Sequence, residues 1–272
     1  RGRKAFTEKK PVTVRIDTTD PSDIVFGYGS FCGGVIEVVL EPIFDCQKMA
    51  YREVREYLEK EDQPPRRDPL YLRHDLLTGE ITLYHDTPRV WEDSFPRIDP
   101  NSVKSSASIE TLLIREDMFI ERVHPPPDLF LFGATPLAYQ IIDHLREMDF
   151  RIHVADWRET YRVKFKDVDH IRLQKEFSGF DNNWMVLILS HFFERDRDVL
   201  KKALLEECTY IGLLSSKTRR DRMFEELRED GIPDSKLFRV SSPAGIDIEA
   251  KSDPEIAVSI IAELIRFKNR LL

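Results

Sequence analysis

The amino-acid sequence predicts an α/β fold: a doubly wound parallel sheet fills the C-terminal half, and a smaller α+β domain precedes it. Three observations carry that expectation. After residue 127, short apolar runs alternate with stretches of helical spacing, the rhythm of β–α–β units. Before residue 124 the strand signals come in pairs around one amphipathic segment. Between them, His124-Pro125-Pro126-Pro127 holds three prolines that remove three backbone donors and stiffen the chain. This places the domains at 1–124 and 125–272.

Composition narrows the class. At 272 residues the chain has room for two domains that each bury a core. Its 41% hydrophobic and 33% charged content describes a soluble globular protein. A net charge of −8 argues against nucleic acid, which draws on clustered positive charge. No apolar run approaches a membrane span and no signal peptide is visible, so no membrane partner and a cytoplasmic location are expected. Cys32, Cys46 and Cys208 are too few, and odd in number, for a disulfide framework, which suits a reducing compartment. No C-x-x-C pair or His/Cys cluster suggests zinc.

In the first domain, Pro11 to Asp17 alternates with period two and reads as a half-buried strand. Asp20-Pro21-Ser22-Asp23 turns the chain. Phe26-Gly27-Tyr28-Gly29-Ser30-Phe31-Cys32-Gly33-Gly34 then packs four of the 11 glycines into eight residues and runs into the strand Val35–Leu40, which Pro42 stops. Glycine serves where φ must be positive or where the backbone lies against something bulky. Two readings of this stretch stand side by side: a tight turn with Cys32 as a small buried hydrophobe, or a loop whose thiol meets a ligand. Glu37 within the apolar run reads as solvated, or as an acceptor for the glycine loop. From Asp45 to Lys60 the spacing predicts a helix with Met49, Val54, Tyr57 and Leu58 on its apolar side. Short strands follow at Tyr71–Arg73 and Ile81–Tyr84, about a Leu77-Thr78-Gly79 turn, and then at Ser108–Ile114 and Met118–Val123. Arg66-Arg67 and Arg73-His74 read as solvated surface charge, with an anionic ligand as the alternative.

The second domain opens with the buried strand Asp128–Phe132. Gly133-Ala134-Thr135-Pro136-Leu137-Ala138 leads into a helix with Leu137, Ala138, Ile141, Ile142 and Leu145 on one face. The next strand, Arg151–Asp156, ends in an acid. This is a βαβ unit with a Rossmann-like opening, whose fingerprint is altered. Thr135 stands where a glycine lets the backbone approach a pyrophosphate, and Pro136 removes one free helix donor. Gly133 keeps the turn, and the spacing leaves Asp156 available to a ribose. Trp184–Leu189 is a core strand with Ser190-His191 just past its C-terminal end, the edge where such sheets bind ligands. A helix from Asp196 to Leu205 follows, and then the strand Thr209–Leu214. Ser215-Ser216 next opens a helix bearing Lys217, Arg219, Arg220 and Arg222. A strand, a small-residue turn, a helix N-terminus and nearby cations suit an anion; a capped helix with a solvated basic face is the plain alternative. Phe238–Val240 is expected as a last strand, with a tight turn at Ser242–Asp247. Ser252 and Glu255 have capping-box spacing ahead of the final helix.

These motifs together resemble the XdhC/CoxI family, accessory factors of xanthine dehydrogenase-type molybdenum hydroxylases. Gly27, Gly29, Cys32, Gly34, Glu41 and Pro42 fall on its G-x-G-x-x-C-x-G…E-P motif. Ser190-His191 with Asp196 is similar to T-H-x-x-x-x-D, and Tyr210-Ile211-Gly212-Leu213-Leu214-Ser215-Ser216-Lys217 to Y-I-G-L-L-G-S-[RK], with Ser215 for glycine. Glu255 to Glu263 carries E-I-A-x-S-I-x-A-E in full. Where the family has G-A-G-H, this chain has Gly133-Ala134-Thr135-Pro136. Members also carry an earlier S-G-G-C segment; it is not in this sequence, which does not start with Met and is expected to be N-terminally truncated.

The resemblance implies a non-catalytic carrier that binds molybdenum cofactor (molybdopterin), aids its sulfuration with a cysteine desulfurase, and delivers it to the hydroxylase, working as a homodimer. It implies cofactor contacts at Gly29, Cys32, Gly33 and Gly34, with Cys32 meeting the metal. It implies cofactor contacts at the sheet edge, with Gly133, Asp156, His191, Ser215, Ser216 and Lys217 as candidates and the phosphate held by the Ser215-Ser216 helix start, the thiol turn and the helix tip sharing one crevice within a chain or across a pair of chains. The residues offer no convincing nucleophile–base pair. The rival reading is a NAD(P)-dependent oxidoreductase using Gly133, Asp156 and His191, against which Thr135-Pro136 counts. A module that contacts the hydroxylase and holds no cofactor is a third.

Overall fold

A computed structural model describes residues 2–17, 35–59, 70–84, 109–114, 117–124, 126–168, 171–175, 180 and 184–271. They fall into two units divided between residues 125 and 126.

The first unit begins with α1 (Gly2–Glu8), a helix that the polar, basic sequence there did not announce; Ala5 is its buried residue. β1 (Val12–Asp17) and β2 (Val35–Leu40) form an antiparallel pair in register Val12 to Leu40. Helix α2 (Asp45–Glu59) follows. Then β3 (Leu70–Asp75), β4 (Ile81–Tyr84), β5 (Ile109–Ile114) and β6 (Met118–Val123) build an antiparallel sheet in the order β4-β3-β6-β5. Its core joins Val54 of α2 to Leu70, Leu72 and Val123. Met49 corrects the sequence reading: it is 69% exposed, while Ala50 and Val54, one turn apart, make the buried stripe. The Gly27–Gly34 loop lies outside the described residues.

His74 is a second correction. Alternation along β3 points it inward, and it is buried instead of solvated, between two carboxylates. Its Nδ1 lies 3.0 Å from Glu41 and its Nε2 3.1 Å from Glu121, with the ring stacked on Phe119.

The second unit is one six-stranded sheet of β7 (Asp128–Phe132), β8 (Arg151–Ala155), β9 (Ile171–Gln174), β10 (Met185–Ile188), β11 (Tyr210–Leu213) and β12 (Val240–Ser241). Every neighbouring pair is parallel, in the order β12-β11-β10-β7-β8-β9. Two halves thus wind outward from β7 and β10, the Rossmann arrangement, with its switch point between those strands. Helices α3 (Pro136–Leu145) and α8 (Asp253–Leu271) share one core layer; α5 (Phe193–Leu205) and α6 (Lys217–Glu229) share the other. Both faces of the central strands are therefore dry, which explains their unbroken apolar runs.

Local chemistry sets the helix starts. Thr135 caps α3, its Oγ1 accepting from Ala138 N at 3.2 Å, with Pro136 at the first helical position. Glu255 accepts from Lys251 N and Ser252 N ahead of α8. The segment at 238–240 departs from expectation. Pro233 and Asp234 open a one-turn helix, α7 (Asp234–Leu237), leaving Phe238 86% exposed and only Val240–Ser241 in the sheet. Helix α4 (Glu159–Arg162), the 3₁₀ turn Val163–Phe165 and β9 are further elements the periodicity did not show.

Candidate functional site

The C-terminal strand ends of the second unit converge at the switch point. Gly133 follows β7 with φ +109, and a Cβ there would sit 2.6 Å from the backbone of Ser190, past β10. Only glycine permits that approach. His191, at φ +61, takes the left-handed conformation without being glycine and stays exposed. Histidine tolerates this region better than most residues, at a cost of about 1 kcal/mol or more.

These turns border a cavity of about 650 Å³ lined by Thr135, Arg158, Tyr161, Ser190, His191, Ser215, Ser216, Arg219 and Asp253, with apolar walls from Pro136, Leu137, Leu214 and Ile256. The size suits a small-molecule ligand. His191, Ser215 and Ser216 are brought together here. Gly133, Asp156 and Lys217 are not among the lining residues. Gly29, Cys32, Gly33 and Gly34 lie outside the described residues.

The first strand–helix turn has committed several of its donors to the protein, with Thr135 N and Leu137 N not among them. Gly133 N donates to Ala155 O at 2.8 Å, Ala134 N to Asp156 Oδ2 at 2.8 Å and Ala138 N to Thr135 Oγ1, while Pro136 has no N–H. Asp156, wholly buried, is engaged at both oxygens. Oδ1 accepts from Arg158 N and Nε, and Oδ2 from Ala134 N and Arg158 Nη2. Burial pushes this carboxyl up, but the Arg158 and Ala134 hydrogen bonds outweigh it and hold it below the usual range. Its lone pairs are spent on the protein itself. Asp156 therefore acts here by fixing Arg158, whose guanidinium lies 3.9 Å from the Tyr161 ring centre.

The second strand–helix turn is open. Ser216 caps α6 by accepting from Arg219 N at 3.3 Å, and the first intrahelical bond is Arg220 N to Ser216 O. The N–H groups of Lys217 and Thr218 have no intrahelical acceptor at these positions. The positive end of a 13-residue helix points the same way. Arg219, in this turn, donates Nη2 to Asp196 Oδ2 at 2.7 Å, and its buried Nη1 makes no hydrogen bond. Ser190 Oγ donates to the other oxygen of Asp196.

Sequence reasoning named Arg219 only as one of four cations, and it missed Arg158 and Tyr161. A signal for Arg158 existed: an arginine two residues past the strand-end acid is placed to fold back on it. Nothing in local sequence tells Arg219 from Arg220 and Arg222.

A family model described as the XdhC Rossmann domain matches residues 129–264. The chain belongs to the XdhC family. Among curated relatives, a probable xanthine dehydrogenase subunit from Bacillus subtilis is 27% identical over 263 residues, spanning 94% of this chain and 76% of that protein. The uncharacterized protein YqeB of Escherichia coli is 30% identical over 153 residues, spanning 53% of this chain and 28% of its own. A crystal structure described as a xanthine dehydrogenase from Bacillus halodurans superposes with a TM-score of 0.72 at 27% identity, covering 98% of this chain and 77% of that one. XdhC membership gives the motif Ser190-His191…Asp196 a structural content: Asp196 joins the β10 turn to the α6 cation. No helix among the described residues is long and apolar enough to cross a membrane.

Proposed function

We propose that this chain is an accessory factor that binds molybdenum cofactor and presents it, for sulfuration and insertion, to a xanthine dehydrogenase-type hydroxylase. The observation that carries the reading is the open α6 turn beside Arg219, which lines the same cavity and is held by one bond to Asp196. A phosphate-bearing pterin fits that donor set, since a guanidinium and free backbone N–H groups are what a phosphate accepts from. The names of the Bacillus relatives support the class of client.

In this reading Ser216 and Arg219 hold the cofactor's phosphate, and Arg158 and Tyr161 form a flat cationic and aromatic wall beside it. Cys32 is included on its motif alone, as the residue proposed to ligate the metal. The bound group supplies redox chemistry to the client, not to this chain. A cysteine desulfurase as sulfur source, and association as a homodimer, belong to the same proposal.

Anaerobic titration with molybdopterin tests it. The wild-type chain should bind, and Cys32→Ala and Arg219→Ala should each weaken binding about tenfold, roughly 1.4 kcal/mol. No binding by the wild type, or micromolar NADH binding seen as enhanced nicotinamide fluorescence, would replace the carrier with another reading.

A further inference from the structure

We propose that Asp196 is a positioning residue: with Ser190 it fixes the Arg219 guanidinium so that the α6 turn takes a phosphomonoester, in place of the dinucleotide pyrophosphate that this sheet order commonly receives at its first turn. The inference rests on the cavity being a ligand site, and not on which cofactor fills it.

Asp196 is held at both oxygens, one by Ser190 Oγ and one by Arg219 Nη2, and has no exposed surface. A carboxylate so fixed has one orientation, and it passes that orientation to the arginine. Arg158 and Arg219 both line the cavity, and they differ in what they have left. Arg158 gives Nε and Nη2 to Asp156, the two-pronged pairing of a structural ion pair. Arg219 gives Asp196 one nitrogen only, and its buried Nη1 has no acceptor. Nη1 itself is buried; the 21% of the Arg219 side chain that stays exposed is the part an oxyanion in the cavity would meet, and a guanidinium held by a single bond keeps donors for it.

The choice of ligand follows from the two turns together. A bridging pyrophosphate needs the β7–α3 turn, where Gly133 and Ala134 have committed their N–H groups to Ala155 and Asp156, Pro136 has none, and Thr135 puts a side chain where the backbone would approach the ligand. The α6 turn offers one helix tip and one guanidinium, a match for a single dianionic group. Burial raises the Asp196 carboxyl above its ordinary value, and the bonds to Ser190 and Arg219 offset that only in part. An amide at this position keeps one oxygen to accept from Arg219 while its NH2 can donate to Ser190 Oγ, so Asp196→Asn removes the charge with little change of shape.

The test is calorimetric titration of the full chain with inorganic phosphate and, separately, NAD. Phosphate should bind the wild type, Arg219→Ala should lose about tenfold, and Asp196→Asn about fivefold with Arg219 still present. In the Arg219→Ala background, Asp196→Asn should change nothing further, because its effect passes through the arginine. An unchanged affinity in Asp196→Asn, an equal loss in both backgrounds, or NAD binding tighter than phosphate overturns the proposal. If Asp196→Asn loses its circular dichroism signature, Ser190→Ala in the same two backgrounds decides by the same non-additivity. Phosphate binding without molybdopterin binding would count against the cofactor assignment alone; the reverse would count against this inference alone.

Discussion

At the scale of single residues, the chain places charge in its interior where it does structural work. His74 is 1% exposed and sits between Glu41 and Glu121, and Tyr51 Oη donates to Glu41 at 3.3 Å. Burial lowers the affinity of His74 for its proton, but the hydrogen bonds to Glu121 and Glu41, and their charges, outweigh it and raise the pKa to about 9. An imidazolium donating to two carboxylates satisfies both ring nitrogens, which a neutral ring cannot do in this setting. A histidine whose folded pKa lies above its unfolded value contributes stability that is fully present below about pH 6.5. That contribution fades as pH rises through about 9. The size is on the order of 2–3 kcal/mol. Calorimetric melting of the wild type should show the first unit losing stability between pH 7 and pH 10, by an amount that His74→Leu largely removes. An equal fall in both proteins would assign the change to other groups.

At the scale of elements, the E-I-A-x-S-I-x-A-E motif of α8 reads in sequence as a packing face, and half of it is. Ala257, Ile260 and Ile261 are buried as the helical spacing predicts. The other half is polar and locks a turn. Glu263 Oε2 accepts from Tyr210 Oη and Gly245 N, each at 2.7 Å, and Oε1 from Ser241 Oγ at 2.7 Å. Ser259 Oγ donates to Ile246 O, and Ile246 N returns a bond to Ser259 O. One glutamate thus ties the end of the sheet to the helix whose first turn supplies Asp253 and Ile256 to the cavity wall. Glu263→Ala strands two donors and a hydroxyl in a dry site and should cost about 3 kcal/mol or more. Glu263→Gln keeps an acceptor for Tyr210 and should cost about 1 kcal/mol. Chemical denaturation measures both, and equal costs would mean the charge, not the acceptor geometry, matters. This lock was illegible because periodicity reports which face is apolar, not what a buried acid on that face binds. Thr135 was the opposite case: Thr-Pro before an apolar repeat states a helix start outright, and the cap is there. The sites divide the same way. His191, Ser215 and Ser216, which border the cavity, could be named because strand ends and helix starts are local signals. The Asp196–Arg219 pair crosses from one helix to the next, which only the fold can bring together.

At the scale of the whole molecule, each half buries apolar surface of its own. Among the described residues of the first unit, one core cluster joins four buried side chains from α2, β3 and β6. The second has two layers, one on each face of its sheet, and every member of both lies between Leu129 and Leu264. Each face of that sheet is covered by helices from the same stretch of chain, and the α8 lock closes within it. A segment of about 150 residues is long enough to bury the fraction of surface that independent stability needs. Residues 126–272 expressed alone should therefore be folded, unfold in one cooperative transition, and keep most of the second unit's stability in the full chain. Far-ultraviolet circular dichroism with urea denaturation reads this directly, since the slope of stability against urea scales with the surface exposed. A transition much broader than that of the intact protein, or a slope well below that expected for this length, would show that the Rossmann layers lean on the first unit. Phosphate affinity in the same fragment separates the functions: retention places the anion site in the second unit by itself, as the α6 turn and the Asp196–Arg219 pair require.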